Sequence, residues 1–118
     1  SRDEGKRDAE EAARVVANFH ENITKKEYRR AYNLCTDNLQ NQLGLYENWA
    51  RGFNNTVESE ASDFYYGIAD SDRVELSFTL TSRDRTSNGI TMQKWRSTAI
   101  VVKEGGQWRI AALENKKI

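Results

Sequence analysis

The spacing of apolar residues changes near residue 55, and this change limits the chain to folds that keep helices and strands apart. Before residue 55, apolar residues recur every three or four positions, which places them on one face of a helix. After it they alternate with polar residues, as in a half-buried strand. The alternation is most regular at Val74, Leu76, Phe78 and Leu80. Helices followed by strands predict an α+β fold, with the helices packed on one face of an antiparallel sheet.

Three helices are predicted in the first part of the chain. Residues 1–8 are almost wholly polar and lead into the first helix. That helix buries one apolar face, formed by Ala9, Ala12, Ala13, Val16 and Phe19. The capping-box pattern of Thr24 and Glu27 predicts the start of the second helix, and Thr36 or Asp37 is expected to cap the third. The inner stripe of the third helix is formed by Leu39, Leu43, Tyr46, Ala50 and Phe53.

Four strands follow, joined by short turns. Turn residues occur at Asp70–Asp72, at Ser87–Gly89 and at Gly105–Gly106. In the third strand, apolar and polar residues do not alternate regularly, which predicts a bulge near Trp95. Together, the helices and strands form one domain over residues 9–118, in which three helices pack on a four-stranded antiparallel sheet.

The charge balance excludes some classes of partner and site. The chain has 18 Lys and Arg residues and 18 Asp and Glu residues. It therefore lacks the basic excess with which nucleic-acid-binding proteins release counterions from phosphate. No apolar run approaches the roughly 18 residues of a membrane span. One His and one Cys cannot build a tetrahedral metal site, so we expect neither a metal nor a cofactor. Cys35 lies on the inner stripe of the second helix and is predicted to be a buried, unreactive thiol.

Several local sequences resemble those of one fold superfamily. Glu27–Tyr32 opens the second helix, Gly52–Thr56 precedes the first strand, and Val101–Ile110 forms a closing hairpin in which Trp108 and Ile110 face the core. In these features the chain resembles the nuclear transport factor 2-like superfamily, whose members have a cystatin-like α+β cone. The similarity is to small exported bacterial members and to the N-terminal domain of some penicillin-binding transpeptidases. The resemblance implies a curved sheet and a cone-shaped interior, and it specifies a fold more than an activity.

The resemblance also directs attention to side chains inside the cone. Enzymes of this superfamily use Asp, His or Tyr there, which makes His20 and Asp63 the catalytic candidates. The simpler interpretation places His20 partly exposed near a helix end and Asp63 on a solvated acidic edge. Four aromatic side chains are predicted to line the mouth of the cone and bind a ligand, unless they only fill the core: Trp49, Phe53, Tyr66 and Trp95.

Charge is unevenly distributed along the sheet. Residues 54–75 contain six acidic side chains against one basic one, and residues 83–109 contain six basic against two acidic. Opposite charges are therefore expected to meet across neighbouring strands. The alternative is that the polar face of the sheet docks a partner or a second copy of the chain.

The expected function is a non-enzymatic one, carried out by an exported domain that binds a protein partner or a small apolar ligand at the bacterial cell envelope. The chain begins at Ser1 without an initiator Met, which a trimmed signal peptide or membrane anchor and a cloning scar explain equally well. Contact with a membrane is expected only through a segment absent from this chain. Two alternatives remain open. One is a small-molecule isomerase, dehydratase or hydrolase that uses a polar residue in the cone. The other is an assembly component of a secretion or conjugation apparatus.

Overall fold

The computed structural model describes residues 2–118 as four helices followed by four strands. The helices are α1 (Arg2–Thr24), α2 (Tyr28–Asn33), α3 (Asp37–Leu43) and α4 (Tyr46–Arg51). The strands are β1 (Thr56–Ala69), β2 (Arg73–Thr86), β3 (Gly89–Glu104) and β4 (Gln107–Lys117). The α+β architecture predicted from the change of period is therefore confirmed, with four helices in place of the predicted three.

Helix α1 supplies most of the helical side of the core. Its buried face is formed by Ala9, Ala12, Val16, Phe19 and Ile23, spaced by three or four residues as one helix face requires. The helix already includes the polar residues 2–8, whereas Ser1 lies outside the described residues. No helix in the described part of the chain is both long and apolar enough to cross a membrane.

The predicted capping box between the first two helices is wrong. Thr24 is the last residue of α1, because the buried face of that helix continues for one more turn to Ile23. Its hydroxyl donates to the Ser59 carbonyl in β1 at 2.9 Å. This hydrogen bond links the end of α1 to the sheet and does not cap α2. Helix α2 begins at Tyr28, and Glu27 in front of it makes no side-chain capping hydrogen bond. The predicted cap of the next helix is confirmed, because Thr36 Oγ1 accepts from the Leu39 N–H at 3.1 Å.

The single third helix predicted from the stripe between Leu39 and Phe53 is interrupted. Helix α3 ends at Leu43, and the next residue, Gly44, has a φ of +91°, in the region that favours glycine. The hydroxyl of Tyr32 donates to the Gly44 carbonyl at 3.0 Å and holds this turn. Leu45 then extends into solvent with 75% of its surface exposed, and α4 starts at the following residue.

The four strands form one antiparallel sheet in the order β1-β2-β3-β4. All three predicted turns separate consecutive strands. The inner face, which packs against α1, carries the predicted alternation of buried residues Val74, Leu76, Phe78 and Leu80. The bulge predicted near Trp95 is wrong, because β2 and β3 pair without a break there. Register shifts occur instead in β1 around Asp63 and between Ile100 and Val101 where β3 pairs with β4.

The outer face of the sheet is not covered by any helix of the described chain. Helix α1 packs on the opposite face, where the buried residues of β2 and β3 lie. On the outer face the acidic and basic stretches meet in one cross-strand ion pair, in which Arg83 Nε lies 3.1 Å from Glu58 Oε1. Both side chains are nearly half exposed, so this pair stabilises the fold little.

Candidate functional site

A cavity of about 370 Å³ lies between the inner face of the sheet and helices α1, α3 and α4. We call it the cone cavity. Its floor is buried and includes Phe19, Ile23 and Leu80. Its rim includes Gly52, which is exposed, and Asp84, which is partly buried. The cavity therefore has a closed apolar end and an end that reaches solvent.

His20 lines this cavity and carries a buried polar atom without a hydrogen-bond partner among the described residues. The side chain is only 6% exposed, and Nδ1 lies 2.9 Å from Ser59 Oγ in a hydrogen bond. The ring packs edge-on against Phe19, with the centroids 5.0 Å apart. No described residue forms a hydrogen bond with Nε2, although that atom is buried. Burial lowers the pKa of His20 to about 4, so the imidazole is neutral near pH 7.

The orientation of His20 is set by contacts between α1 and β1. Thr24 Oγ1 accepts from the Ser59 N–H at 2.8 Å and donates to the Ser59 carbonyl at 2.9 Å. These two bonds fix the backbone of Ser59 against the end of α1. The Ser59 hydroxyl is thereby placed within hydrogen-bonding distance of Nδ1 of His20. The predicted position of His20, partly exposed at a helix end, is wrong.

Three of the four aromatic side chains predicted to line the cone do so. Trp49, Phe53 and Trp95 border the cavity and are partly buried. Trp49 and Phe53 pack edge to face with their centroids 5.1 Å apart. The indole Nε1 of Trp95 donates to Ser82 Oγ at 3.3 Å, which fixes that ring beside the sheet. The cavity thus has an aromatic wall as well as an aliphatic floor.

The cavity contains one charged side chain among its described lining residues, the carboxylate of Asp84. Thr56 Oγ1 donates to Asp84 Oδ1 at 2.8 Å and ties the carboxylate to β1. Asn115 also lines the cavity, and its side-chain oxygen accepts from the Ser97 hydroxyl at 2.6 Å. Asp84 was not a predicted site residue, although it continues the even-numbered, inward-facing phase of Val74 to Leu80 along β2.

Two predicted residues lie outside the cone cavity. Asp63 is exposed at the bulge of β1, with a φ of +55°, and does not line the cavity. Tyr66 follows that bulge, is 46% exposed and does not reach the cavity either. Asp63 occupies the bulge itself, where β1 has one extra residue. Tyr66 pairs with the inward-facing Leu76, and the part of β2 that lines the cavity begins only at Leu80.

Other features of the described chain support chemistry less well. Cys35 is buried, and burial raises the pKa of its thiol to about 12, so it is the unreactive thiol that was predicted. No group of three or more potential metal ligands occurs among residues 2–118. A larger groove of about 1010 Å³ borders α3 and the β3–β4 hairpin, but its walls are mostly polar and no unpaired buried polar atom faces it. The cone cavity is therefore the better candidate site.

Comparison with solved structures identifies the fold. A putative dehydratase of the NTF2-like family from Streptomyces avermitilis superposes with a TM-score of 0.76 at 11% identity, covering 97% of this chain and 98% of that one. An NTF2-like protein with a cystatin-like fold from Novosphingobium aromaticivorans superposes with a TM-score of 0.71 at 10% identity, covering 95% and 82%. The chain has the NTF2-like, cystatin-like fold.

A kinase association domain shares this architecture as well. The association domain of C. elegans CaMKII superposes with a TM-score of 0.74 at 16% identity, and the match covers 97% of this chain and 98% of that one. No protein-family model matches the sequence, and no curated protein matches it significantly. At these identities the likeness establishes the fold, while the function has to be argued from the site itself.

Proposed function

We propose that this NTF2-like domain binds a small, largely apolar molecule in the cone cavity and holds it through one hydrogen bond to His20 Nε2. The observation that carries the proposal is the unpaired Nε2 of a side chain that is 6% exposed. Leaving a buried polar atom without a partner costs about 1–3 kcal/mol. A ligand that supplies the missing partner recovers part of that free energy when it binds.

The size and lining of the cavity support a ligand with a ring system. Its volume of about 370 Å³ lies within the usual range for small-molecule sites. Trp49, Phe53 and Trp95 offer aromatic surface, and Ile23 and Leu80 offer aliphatic surface. Flat molecules with one polar group at the buried end match this combination.

Binding is favoured over catalysis by the state of the histidine. A general base works best when its pKa lies near the working pH, and the pKa of His20 is about 4. The described lining residues include no tyrosine hydroxyl that could act as a partner acid. A putative dehydratase shares the fold, but we propose that this chain binds a ligand without transforming it.

The export of this domain remains part of the proposal. It is supported by the resemblance of the closing hairpin at Val101–Ile110 to that of small exported bacterial proteins. A fusion of the full-length gene to alkaline phosphatase tests it, since that enzyme is active only after export. An inactive but stable fusion would exclude the cell envelope as the place where the domain binds its ligand.

A second candidate function is self-association through the outer face of the sheet. It is favoured by the absence of helix cover on that face of the described chain and by the mixture of charges there. An association domain shares the fold.

Ligand binding is tested with two isosteric probes. We assign the imidazole proton to Nδ1, where it is donated to Ser59 Oγ, so that Nε2 is an acceptor. Tryptophol carries an indole N–H that can donate to Nε2, and 3-(2-hydroxyethyl)benzothiophene has sulfur in its place. We expect tryptophol to bind about five- to tenfold more tightly in isothermal titration calorimetry, the effect of one hydrogen bond. The His20→Phe variant should bind both probes equally.

Nuclear magnetic resonance supplies the location of binding. The indole N–H signals of Trp49 and Trp95 should shift on addition of tryptophol, because both rings line the cavity. The signal of Trp108 is the internal control, since its Nε1 donates to Glu11 Oε2 away from the cavity. If neither probe binds, or if only Trp108 responds, the proposed function is wrong.

A further inference from the structure

The charges around the cone cavity are of one sign. Asp84 is the only charged side chain among its described lining residues. Its sequence neighbours Arg83 and Arg85 are on the opposite phase of β2, and Arg83 is paired with Glu58 on the outer face. His20 adds no positive charge near neutral pH, because burial lowers its pKa to about 4. A bound molecule therefore encounters one carboxylate and no cation.

The carboxylate of Asp84 is held in place without being neutralised. Oδ1 accepts from the hydroxyl of Thr56, which is itself buried, at 2.8 Å. No ion pair joins Asp84 to a basic side chain of the described residues. A neutral hydrogen bond orients a carboxylate and leaves its charge available to a ligand.

Aromatic rings border the same cavity. Trp49, Phe53 and Trp95 are partly exposed at its walls, and Asp84 lies at its half-exposed rim. Ring faces attract cations through their quadrupoles, most strongly for tryptophan and where water is partly excluded. A carboxylate together with several rings provides both interactions that recognise an organic cation. The same arrangement disfavours a carboxylate or phosphate group, which would meet Asp84 without a compensating base.

We infer that the ligand of the cone cavity is an organic cation, with its ammonium group at Asp84 and its apolar body directed toward His20 and Leu80. This inference rests on the proposed ligand-binding function and specifies its chemical class. The two ends of the cavity then have separate tasks. At the buried end, the ligand supplies the missing hydrogen-bond partner of His20 Nε2. At the rim, the carboxylate of Asp84 selects for a positively charged ligand.

Three indoles that differ in the charge of the side chain test the inference. They are tryptamine, a cation near neutral pH, tryptophol, which is neutral, and indole-3-acetate, an anion. We expect tryptamine to bind at least about tenfold more tightly than tryptophol in calorimetry at low ionic strength. Indole-3-acetate should bind more weakly than both. Added salt should reduce the preference for tryptamine, because Asp84 is half exposed.

The variant Asp84→Asn isolates the role of the carboxylate. The asparagine oxygen can still accept from Thr56, so the fold is retained while the charge is lost. This variant should retain only a small preference for tryptamine over tryptophol, because the aromatic rings are then the only groups that still favour the cation. Asp63→Asn is the matched control, because it removes the same charge from an exposed bulge outside the cavity, where asparagine tolerates the positive φ. It should keep the preference of the wild type.

The outcomes separate the two proposals. Equal affinity of the wild type for all three indoles, or a preference for tryptamine that is undiminished in Asp84→Asn, would overturn the cation inference and leave ligand binding intact. Failure of all three indoles to bind would overturn both. A similar loss of preference in Asp63→Asn would show that net charge acts at long range, which would also overturn the role assigned to Asp84.

Discussion

At the scale of the residue, His20 is a buried side chain with one ring nitrogen that lacks a hydrogen-bond partner among the described residues. It is buried and neutral, with one ring nitrogen paired to Ser59 and the other unpaired. The unpaired atom lowers stability in the free protein, since no partner replaces the water lost on folding. Binding sites often retain such groups because their free energy is recovered when the ligand arrives.

The burial of His20 makes the stability of the fold depend on pH. The pKa of histidine is about 6.5 in the unfolded chain, whereas it is about 4 in the fold. Between these values the unfolded state binds more protons, so stability falls as the pH falls below 6.5 and the loss is complete below about 4. We expect urea unfolding to show a loss of about 2 kcal/mol between pH 7 and pH 5.

The variant His20→Phe provides the comparison. Carboxylates also titrate in acid, but they are shared by both proteins, so the difference between the two pH profiles reports His20. The variant should lose clearly less stability than the wild type over the same interval. Parallel profiles for the two proteins would contradict the neutral, buried state of His20.

At the scale of the element, the short helix α3 depends on its N-cap. The hydroxyl of Thr36 accepts from the Leu39 N–H at 3.1 Å, and the residue is buried beside β4. We expect Thr36→Ala to lower the free energy of unfolding by about 1 kcal/mol, since it leaves that N–H unpaired. Thr36→Ser keeps the acceptor and should cost less. Equal losses in chemical denaturation would mean that the buried methyl, rather than the cap, accounts for the effect.

The elements also show which features can be read from the sequence. The alternation in β2 and the cap at Thr36 were predictable because both depend on neighbours within a few residues. The break at Gly44 was not, since the hydroxyl of Tyr32 holds it from another helix. The same applies to Thr24, which looks like a cap in the sequence but bonds to Ser59, 35 residues away.

The residues of the candidate site also differ in how far the sequence could predict them. Trp49, Phe53 and Trp95 were predictable as cone residues from the resemblance of the chain to known NTF2-like proteins. Asp84 could have been found by continuing the every-second-residue pattern of inward side chains in β2 from Leu80 through Ser82. The exclusion of Tyr66 could not be predicted, because how far the cavity extends along the sheet depends on which part of the sheet the helices cover.

At the scale of the whole molecule, the zero net charge conceals a division between the strands. Glu58 and Glu60 of β1 and Lys94 and Arg96 of β3 lie on different parts of one uncovered sheet face. In a two-fold dimer with the sheets face to face, the acidic part of one copy can meet the basic part of the other. Such a dimer would satisfy the charges of both copies without requiring any net charge on the chain.

We therefore expect the protein to self-associate through this face, with a mass twice the 13.6 kDa of the chain in light scattering after size exclusion. Arg96→Glu reverses an exposed charge in β3, next to Thr79 of β2, and should shift the equilibrium to the monomer while the far-ultraviolet circular dichroism of the folded chain stays unchanged. Arg14→Glu makes the same charge change on the exposed side of α1 and should leave the dimer intact. A wild-type monomer at high concentration, or equal disruption by both variants, would exclude the sheet face as the contact.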